Sequence, residues 1–104
     1  MREVLSEIEA WRAAGNRVAV ATVVKVEGSA PRPVGAAMAV SSAGDLTGSV
    51  SGGCVEAAVF EEAQAVLATG TPKLLRYGIT DEMAWDVGLV CGGTIEVFVE
   101  PVAE

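Results

Sequence analysis

The residues best suited to chemistry in this chain are two cysteines, each of which adjoins a pair of glycines. Cys54 follows Gly52-Gly53, and Cys91 precedes Gly92-Gly93. Because glycine lacks a Cβ atom, the backbone at each pair can adopt positive φ and approach a ligand closely. A thiolate is a nucleophile and also a ligand for soft metals. The pattern therefore predicts either thiol chemistry or a ligand site. The alternative is that each cysteine is a small buried hydrophobic residue that serves only packing.

The sequence around Cys54 is typical of a glycine turn that leads into a helix. Ser51 is suited to cap the helix, because its hydroxyl can accept a hydrogen bond from a free amide. Apolar residues recur at helical spacing as far as Leu67, and Gly70 provides a stop signal. A thiol in the first turn lies near free amides and the positive end of the helix dipole. Both would favour the Cys54 thiolate.

A third segment, residues 28–35, has proline on both sides of Arg32 and glycine at both ends. The prolines fix φ and remove two amide donors, so the segment is predicted to be a rigid loop. A guanidinium group binds phosphate well, which makes Arg32 a candidate anion anchor. The competing interpretation is an ordinary solvated arginine.

Composition excludes several classes of function. The net charge is −7 and only seven residues are Lys or Arg, which argues against nucleic-acid binding. There is no histidine, which removes Ser-His and Cys-His nucleophile pairs and the usual zinc sites. No apolar run approaches the roughly 18 residues of a membrane span. With two cysteines and no signal-peptide pattern, we expect a cytoplasmic protein.

Hydrophobic periodicity predicts one compact α/β domain over residues 1–104, with a mixed β-sheet and flanking helices. A hairpin in the middle of the chain makes a purely parallel sheet unexpected. If the loops containing Arg32, Cys54 and Cys91 lie at one end of the sheet, they would frame a pocket. The predicted helices cover residues 2–14 and 53–69, and the predicted strands cover residues 17–27, 36–40, 46–50, 73–77 and 94–100.

Three ordered motifs together resemble the XdhC/CoxI family of accessory proteins for molybdenum hydroxylases. They are Gly-Ser-Ala-Pro-Arg-Pro-Val-Gly at 28–35, Gly-Ser-Val-Ser-Gly-Gly-Cys-Val-Glu at 48–56 and Gly-Leu-Val-Cys-Gly-Gly at 88–93. The resemblance implies a chaperone rather than an enzyme. Such a protein binds molybdenum cofactor (molybdopterin) as cargo, protects it during sulfuration and delivers it to an apo molybdenum hydroxylase. The client would be an enzyme such as xanthine dehydrogenase or carbon monoxide dehydrogenase.

The same resemblance supplies the expected site and partners. Cys54 is the candidate metal contact, and a cysteine desulfurase is a further candidate partner. Longer members of the family carry a second, dinucleotide-binding-like domain, so a second copy of this chain or a partner chain is expected to complete the site. The alternative function is a thiol-based redox or sulfur-transfer enzyme in which Cys91 resolves Cys54, and a third is a subunit that contributes only an interface. The candidate cofactor-binding residues are Ser29, Arg32, Ser51, Gly52, Gly53, Cys54, Cys91, Gly92 and Gly93.

Overall fold

A computed structural model of the chain describes residues 4–28, 33–51, 55–78 and 93–102. Each predicted helix and strand has a counterpart among them, displaced by a few residues at its ends. The irregular segment expected at 80–93 lies outside the described residues except for Gly93. In chain order the elements are α1 (Leu5–Ala13), β1 (Val18–Glu27), β2 (Ala37–Ser41), β3 (Leu46–Gly48), α2 (Glu56–Thr69), β4 (Lys73–Gly78) and β5 (Thr94–Pro101).

The described strands form one sheet in the order β3-β2-β1-β5-β4. The α/β class with flanking helices is confirmed, but every described strand pair is antiparallel, which corrects the expectation of a mixed sheet. The reason lies in the helical crossover between β3 and β4. Helix α2 joins β3 to β4, which run in the same direction but occupy opposite edges of the sheet. The crossover therefore creates no parallel neighbours.

Strand β1 is the centre of the sheet and is buried on both faces over its first half, as its sequence predicts. Ala19, Ala21 and Val23 belong to the apolar cluster beneath α2. Val18 and Val20 belong to a smaller cluster on the opposite face, beneath α1. In the described part of the chain, one helix therefore covers each face of the sheet, and β1 must be apolar on both sides.

A β-bulge at Val24 ends this two-sided burial. The pairing with β5 shifts from Val23↔Val97 to Lys25↔Glu96, which leaves Val24 without a counterpart and 47% exposed. Because a bulge adds one residue, it reverses which face the following side chains occupy. Lys25 therefore leaves the face of Val23 and bonds Glu27 and Glu96 with Nζ–O distances of 3.0 and 3.7 Å, while Val26 packs on the α2 side.

Helix α1 buries a narrower stripe than its sequence predicts. Val4 and Ile8 are buried and Trp11 packs beside them, whereas Leu5 is 45% exposed. Val4 and Leu5 are adjacent and lie about 100° apart around the helix, so a single sheet face cannot bury both. The predicted stop is confirmed: Gly15 has a φ of +92°, and Asn16 N donates to the carbonyl of Trp11 at 2.9 Å.

Gly48 ends β3 at a point where no side chain fits. Its φ is +80°, and a Cβ atom there would overlap the carbonyl oxygen of Ala37 and lie 2.6 Å from Cγ1 of Val4. Both neighbours are fully buried, so neither has space to move away. A glycine is therefore required for β3 to lie against β2 and beneath α1.

We expect Gly48→Ala to destabilise the protein more than Gly70→Ala. Gly70 has a similar φ of +74° but nothing within 4 Å of its ideal Cβ position. Gly70→Ala should cost about 1–2 kcal/mol for the left-handed backbone alone, and Gly48→Ala about 1–3 kcal/mol more for the overlap. Urea unfolding of both variants measures the difference. Equal losses would show that the surroundings of Gly48 relax without cost.

Candidate functional site

The three loops expected to frame a pocket attach to the same end of the sheet. Because neighbouring strands are antiparallel, β1, β3 and β4 end where β2 and β5 begin. The register pairs both Glu27 and Gly78 with Thr94, and pairs Gly48 with Met38 near the start of β2. The segments that contain Arg32, Cys54 and Cys91 therefore all leave the sheet at this end.

Two of the predicted site residues, Ser51 and Gly93, lie within the described part of the chain. The structural description does not extend to the others, whose roles stay predictions: Ser29, Arg32, Gly52, Gly53, Cys54, Cys91 and Gly92.

Gly93 lies directly against Gly28, at the base of two of these loops. A Cβ atom on Gly28 would lie 3.1 Å from Cα of Gly93, and both residues have positive φ, +77° and +85°. The Arg32 loop begins at Gly28, and the Cys91 segment ends at Gly93. The backbone at the start of the Arg32 loop therefore contacts the backbone at the end of the Cys91 segment, although the two are distant in sequence. Two glycines permit so close a contact because neither has a Cβ atom.

The Cys54 loop is the segment between β3 and α2, and its described residues donate hydrogen bonds to the carboxylate of Glu56, the first residue of α2. Its Oε2 accepts hydrogen bonds from Ser49 Oγ at 2.8 Å, Val50 N at 3.0 Å and Ser51 N at 2.9 Å. Its Oε1 accepts one from Ser51 Oγ at 2.6 Å. The side chain is only partly exposed. Four donors from three consecutive residues thus converge on one carboxylate.

Ser51 does not cap the helix as its sequence predicts. Helix α2 begins at Glu56 and its N-cap is Val55, which makes no side-chain cap bond. Ser51 is instead 1% exposed, and its Oγ accepts a hydrogen bond from Val55 N at 3.0 Å while donating to Glu56. Helix α2 begins two positions after Cys54 in the sequence, within three residues of the predicted start at residue 53. Cys54 itself lies outside the described residues, so its place in the first helical turn stays a prediction.

The ionisation of Glu56 follows from these contacts. Partial burial raises the pKa of the Glu56 carboxyl group, but hydrogen bonds from the Ser51 and Ser49 hydroxyls and from the amides of Ser51 and Val50 outweigh burial. The net pKa is lowered from the ordinary 4.5 to about 2. Glu56 is thus an anion at neutral pH. The amides of Val50 and Ser51, which would otherwise suit a ligand phosphate, already donate to the protein's own carboxylate.

The sequence alone does not single out this role, because a glutamate in the first turn of a helix is typical of a surface residue that complements the helix dipole. The nearest known signature is the capping box, in which a serine and a glutamate are three positions apart. Here Ser51 and Glu56 are five apart, so that rule does not identify the pair. The available signal is a pair of serines, Ser49 and Ser51, before two consecutive glycines, followed by a glutamate in the first helical turn.

Within the described ranges, no group of three or more His, Cys, Asp or Glu residues could hold a metal ion. None of the helices in this part of the chain is long and apolar enough to cross a membrane.

The Glu56 carboxylate should stabilise the fold only while it is ionised. Its folded pKa lies below the ordinary value, so its contribution is complete above about pH 4.5 and is lost as the pH falls towards about 2. We expect Glu56→Gln to lower the free energy of unfolding by about 1.5–3 kcal/mol at neutral pH. The difference from wild type should shrink as the solution is acidified through this range.

Urea unfolding of wild type and Glu56→Gln across this pH range is the measurement. Glu61→Gln is the matched control, because Glu61 lies on the same helix and is exposed. A deficit for Glu56→Gln that is the same at every pH would contradict an electrostatic origin.

Comparison with known proteins places this architecture in a family. Residues 11–78 match the XdhC and CoxI family. The chain is 43% identical over 82 residues to the molybdenum cofactor insertion chaperone PaoD of Escherichia coli (strain K12), an alignment that covers 78% of this chain and 25% of that protein. It is 39% identical over 87 residues to a probable xanthine dehydrogenase subunit of Bacillus subtilis (strain 168), covering 82% of this chain and 26% of that protein.

A solved structure has the same fold. The crystal structure of a xanthine dehydrogenase from Bacillus halodurans matches with a TM-score of 0.79 and 34% sequence identity, over 95% of this chain and 30% of that chain. The chain spans about a quarter of the length of the two curated relatives. From the match over residues 11–78 and the identity to these relatives, we conclude that the chain belongs to the XdhC and CoxI family.

Proposed function

We propose that the protein is an accessory factor of molybdenum hydroxylases, which binds molybdenum cofactor as cargo and helps its sulfuration and insertion into the apo-enzyme. The observation that carries the proposal is the attachment of all three motif loops to one end of one sheet. It is supported by family membership and by a relative named as a molybdenum cofactor insertion chaperone. The client would be an enzyme of the xanthine dehydrogenase or carbon monoxide dehydrogenase type.

The chemistry of the motif residues suits this cargo. Molybdopterin carries a phosphate, a polar fused ring and a dithiolene that holds molybdenum. A thiolate is a soft ligand, so Cys54 is assigned to the molybdenum or the pterin sulfurs. Arg32 and the backbone amides of Gly52 and Gly53 are assigned to the phosphate, because a guanidinium group and free amides both bind phosphate oxygens.

The described residues near these loops bear on which further groups could contact the cofactor. The amides of Val50 and Ser51 donate to Glu56 and are not assigned to the phosphate. Ser51 is buried, so its part in cofactor binding is to hold the loop rather than to touch the ligand. Gly93 lies at the base of the Arg32 loop, which supports a site built from more than one loop.

The proposed partners are an apo molybdenum hydroxylase, as the client, and a cysteine desulfurase, as the sulfur source. The chain spans about a quarter of the length of the two relatives named above. The regions of those relatives that it does not span are candidates for the remaining cofactor contacts, whether supplied by a second copy or by a partner chain. A cytoplasmic location stays a prediction.

We expect Cys54→Ala to abolish cofactor retention while the fold survives, and Arg32→Ala to weaken retention less. The change at Cys54 removes little volume but leaves no substitute for a thiolate contact. Loss of Arg32 removes one charge-assisted anchor, worth about 1.5–3 kcal/mol, and leaves the amides of the glycine turn. The experiment loads wild type and both variants with isolated molybdenum cofactor and measures the fraction that stays bound after gel filtration, with circular dichroism as the folding control.

Retention of cofactor by folded Cys54→Ala at the wild-type level would contradict the assignment and direct attention to Cys91. Mass spectrometry of protein purified from a molybdate-fed host separates this function from the alternative. Bound pterin supports the chaperone. A persulfide, or a disulfide between Cys54 and Cys91, would instead support a redox or sulfur-transfer enzyme.

A further inference from the structure

We propose that Glu56 and Ser51 form a positioning pair that holds the Cys54 loop in the conformation that binds cofactor. The proposal rests on the proposed function, since it concerns the same loop. Neither residue is assigned a contact with the ligand. Both act through the segment between them.

The first step of the argument is that the pair closes the loop at its base. Ser51 Oγ donates to Glu56 Oε1 at 2.6 Å and accepts from Val55 N at 3.0 Å. Residue 51 is therefore tied to residues 55 and 56, and only three residues, 52–54, connect the two sides. Fixing both ends of so short a segment restricts the conformations open to it. Those three residues are the Gly-Gly-Cys of the motif.

The second step is that the closed base is anchored to the core. Ser49 N donates to the carbonyl of Ala37 at 3.1 Å, which joins the segment to β2. Val50 and Val55, on either side of the loop, are 0% and 2% exposed and belong to the cluster beneath α2. The loop base therefore cannot shift without disturbing the sheet or the helix.

The third step is that a carboxylate is the group required at position 56. Ser49 Oγ, Val50 N and Ser51 N all direct a hydrogen atom at Oε2, and Ser51 Oγ directs one at Oε1. Only a side chain whose two terminal atoms are both hydrogen-bond acceptors satisfies this arrangement. A glutamine would turn its NH₂ group towards one of these donors, and an alanine would leave all of them without this acceptor. An anion at this position would also repel a phosphate, which supports a positioning role over ligand contact.

The test compares Glu56→Ala and Ser51→Ala with wild type and with Glu61→Ala, the exposed control on the same helix. Two properties are measured on each folded protein at one neutral pH: retention of isolated molybdenum cofactor, and the rate of iodoacetamide alkylation at Cys54 followed by peptide mass spectrometry. For Glu56→Ala we expect retention to fall and alkylation to quicken, each by about tenfold. Loss of the tie at the loop base should make the thiol more accessible, and loss of a negative charge two positions away in the sequence should favour the thiolate.

Ser51→Ala should shift both properties in the same directions but less, because the three bonds to Glu56 Oε2 remain. It also keeps the proposal testable if Glu56→Ala does not fold. Added formate should restore slow alkylation and cofactor retention in Glu56→Ala, since the donors left behind suit a small carboxylate. Chloride at equal ionic strength should not. Loss of stability alone would not respond to formate in this selective way.

If both variants show wild-type alkylation rates and wild-type cofactor retention, the positioning role is overturned. The cofactor-binding proposal would then be decided by the retention experiment on Cys54→Ala. Failure of wild type to retain cofactor would overturn the proposed function, and with it the cofactor role of the pair. The alkylation rates would then still decide whether the pair sets the conformation of the Cys54 loop. Wild-type behaviour of Ser51→Ala beside a changed Glu56→Ala would overturn the assignment of Ser51 alone.

Discussion

Two-sided burial of β1 is the constraint on which the rest of the structure depends. A strand that is apolar on both faces needs a layer on each side, and α1 and α2 provide these layers. It also needs a neighbour along each edge, and β2 and β5 are those neighbours, both antiparallel to it. Alternation of strand direction then places the end of β1 beside the starts of β2 and β5. The candidate site loops share one end of the sheet as a consequence of these antiparallel pairings and of those of β2 with β3 and β4 with β5.

The two ends of β1 differ because the bulge at Val24 separates them. Before the bulge, the alanine and valine side chains of β1 pack into the clusters on both faces. After it, Lys25 and Glu27 form a partly exposed ion-pair network with Glu96 and Arg76. Exposed pairs of this kind add little stability. Their effect is that the last part of β1 carries charged side chains where the strand extends past the core. This part of β1 ends next to the glycine at which the Arg32 loop begins.

Periodicity and stop signals were sufficient to predict the elements, because both are local properties of the sequence. Gly15 and Gly70 end the two helices as expected, and Ile95, Val97 and Val99 are buried on one face of β5. Strand pairing and the bulge could not be predicted, since both depend on which strands become neighbours. The same is true of Ser51 and Glu56. Each residue type fits a helix start, and only the folded loop decides that the serine binds the glutamate instead of capping the helix.

The carboxylate of Glu56 affects how the proposed ligand would be recognised, because it lies beside a loop that is proposed to bind a phosphate. Glu56 uses the amides of Val50 and Ser51, so the Cys54 loop retains fewer donors for an anion than a glycine turn before a helix would otherwise offer. Its fixed negative charge also opposes a phosphate bound close to it. In the proposed site the phosphate would be held by Arg32, on a loop that starts from the contact between Gly28 and Gly93, and by the amides of Gly52 and Gly53. The soft, metal-bearing end of the cofactor would then lie at Cys54, and the anionic end would be shared between the two loops. Recognition would thus require the cofactor to bridge loops, which selects for a ligand with both ends intact.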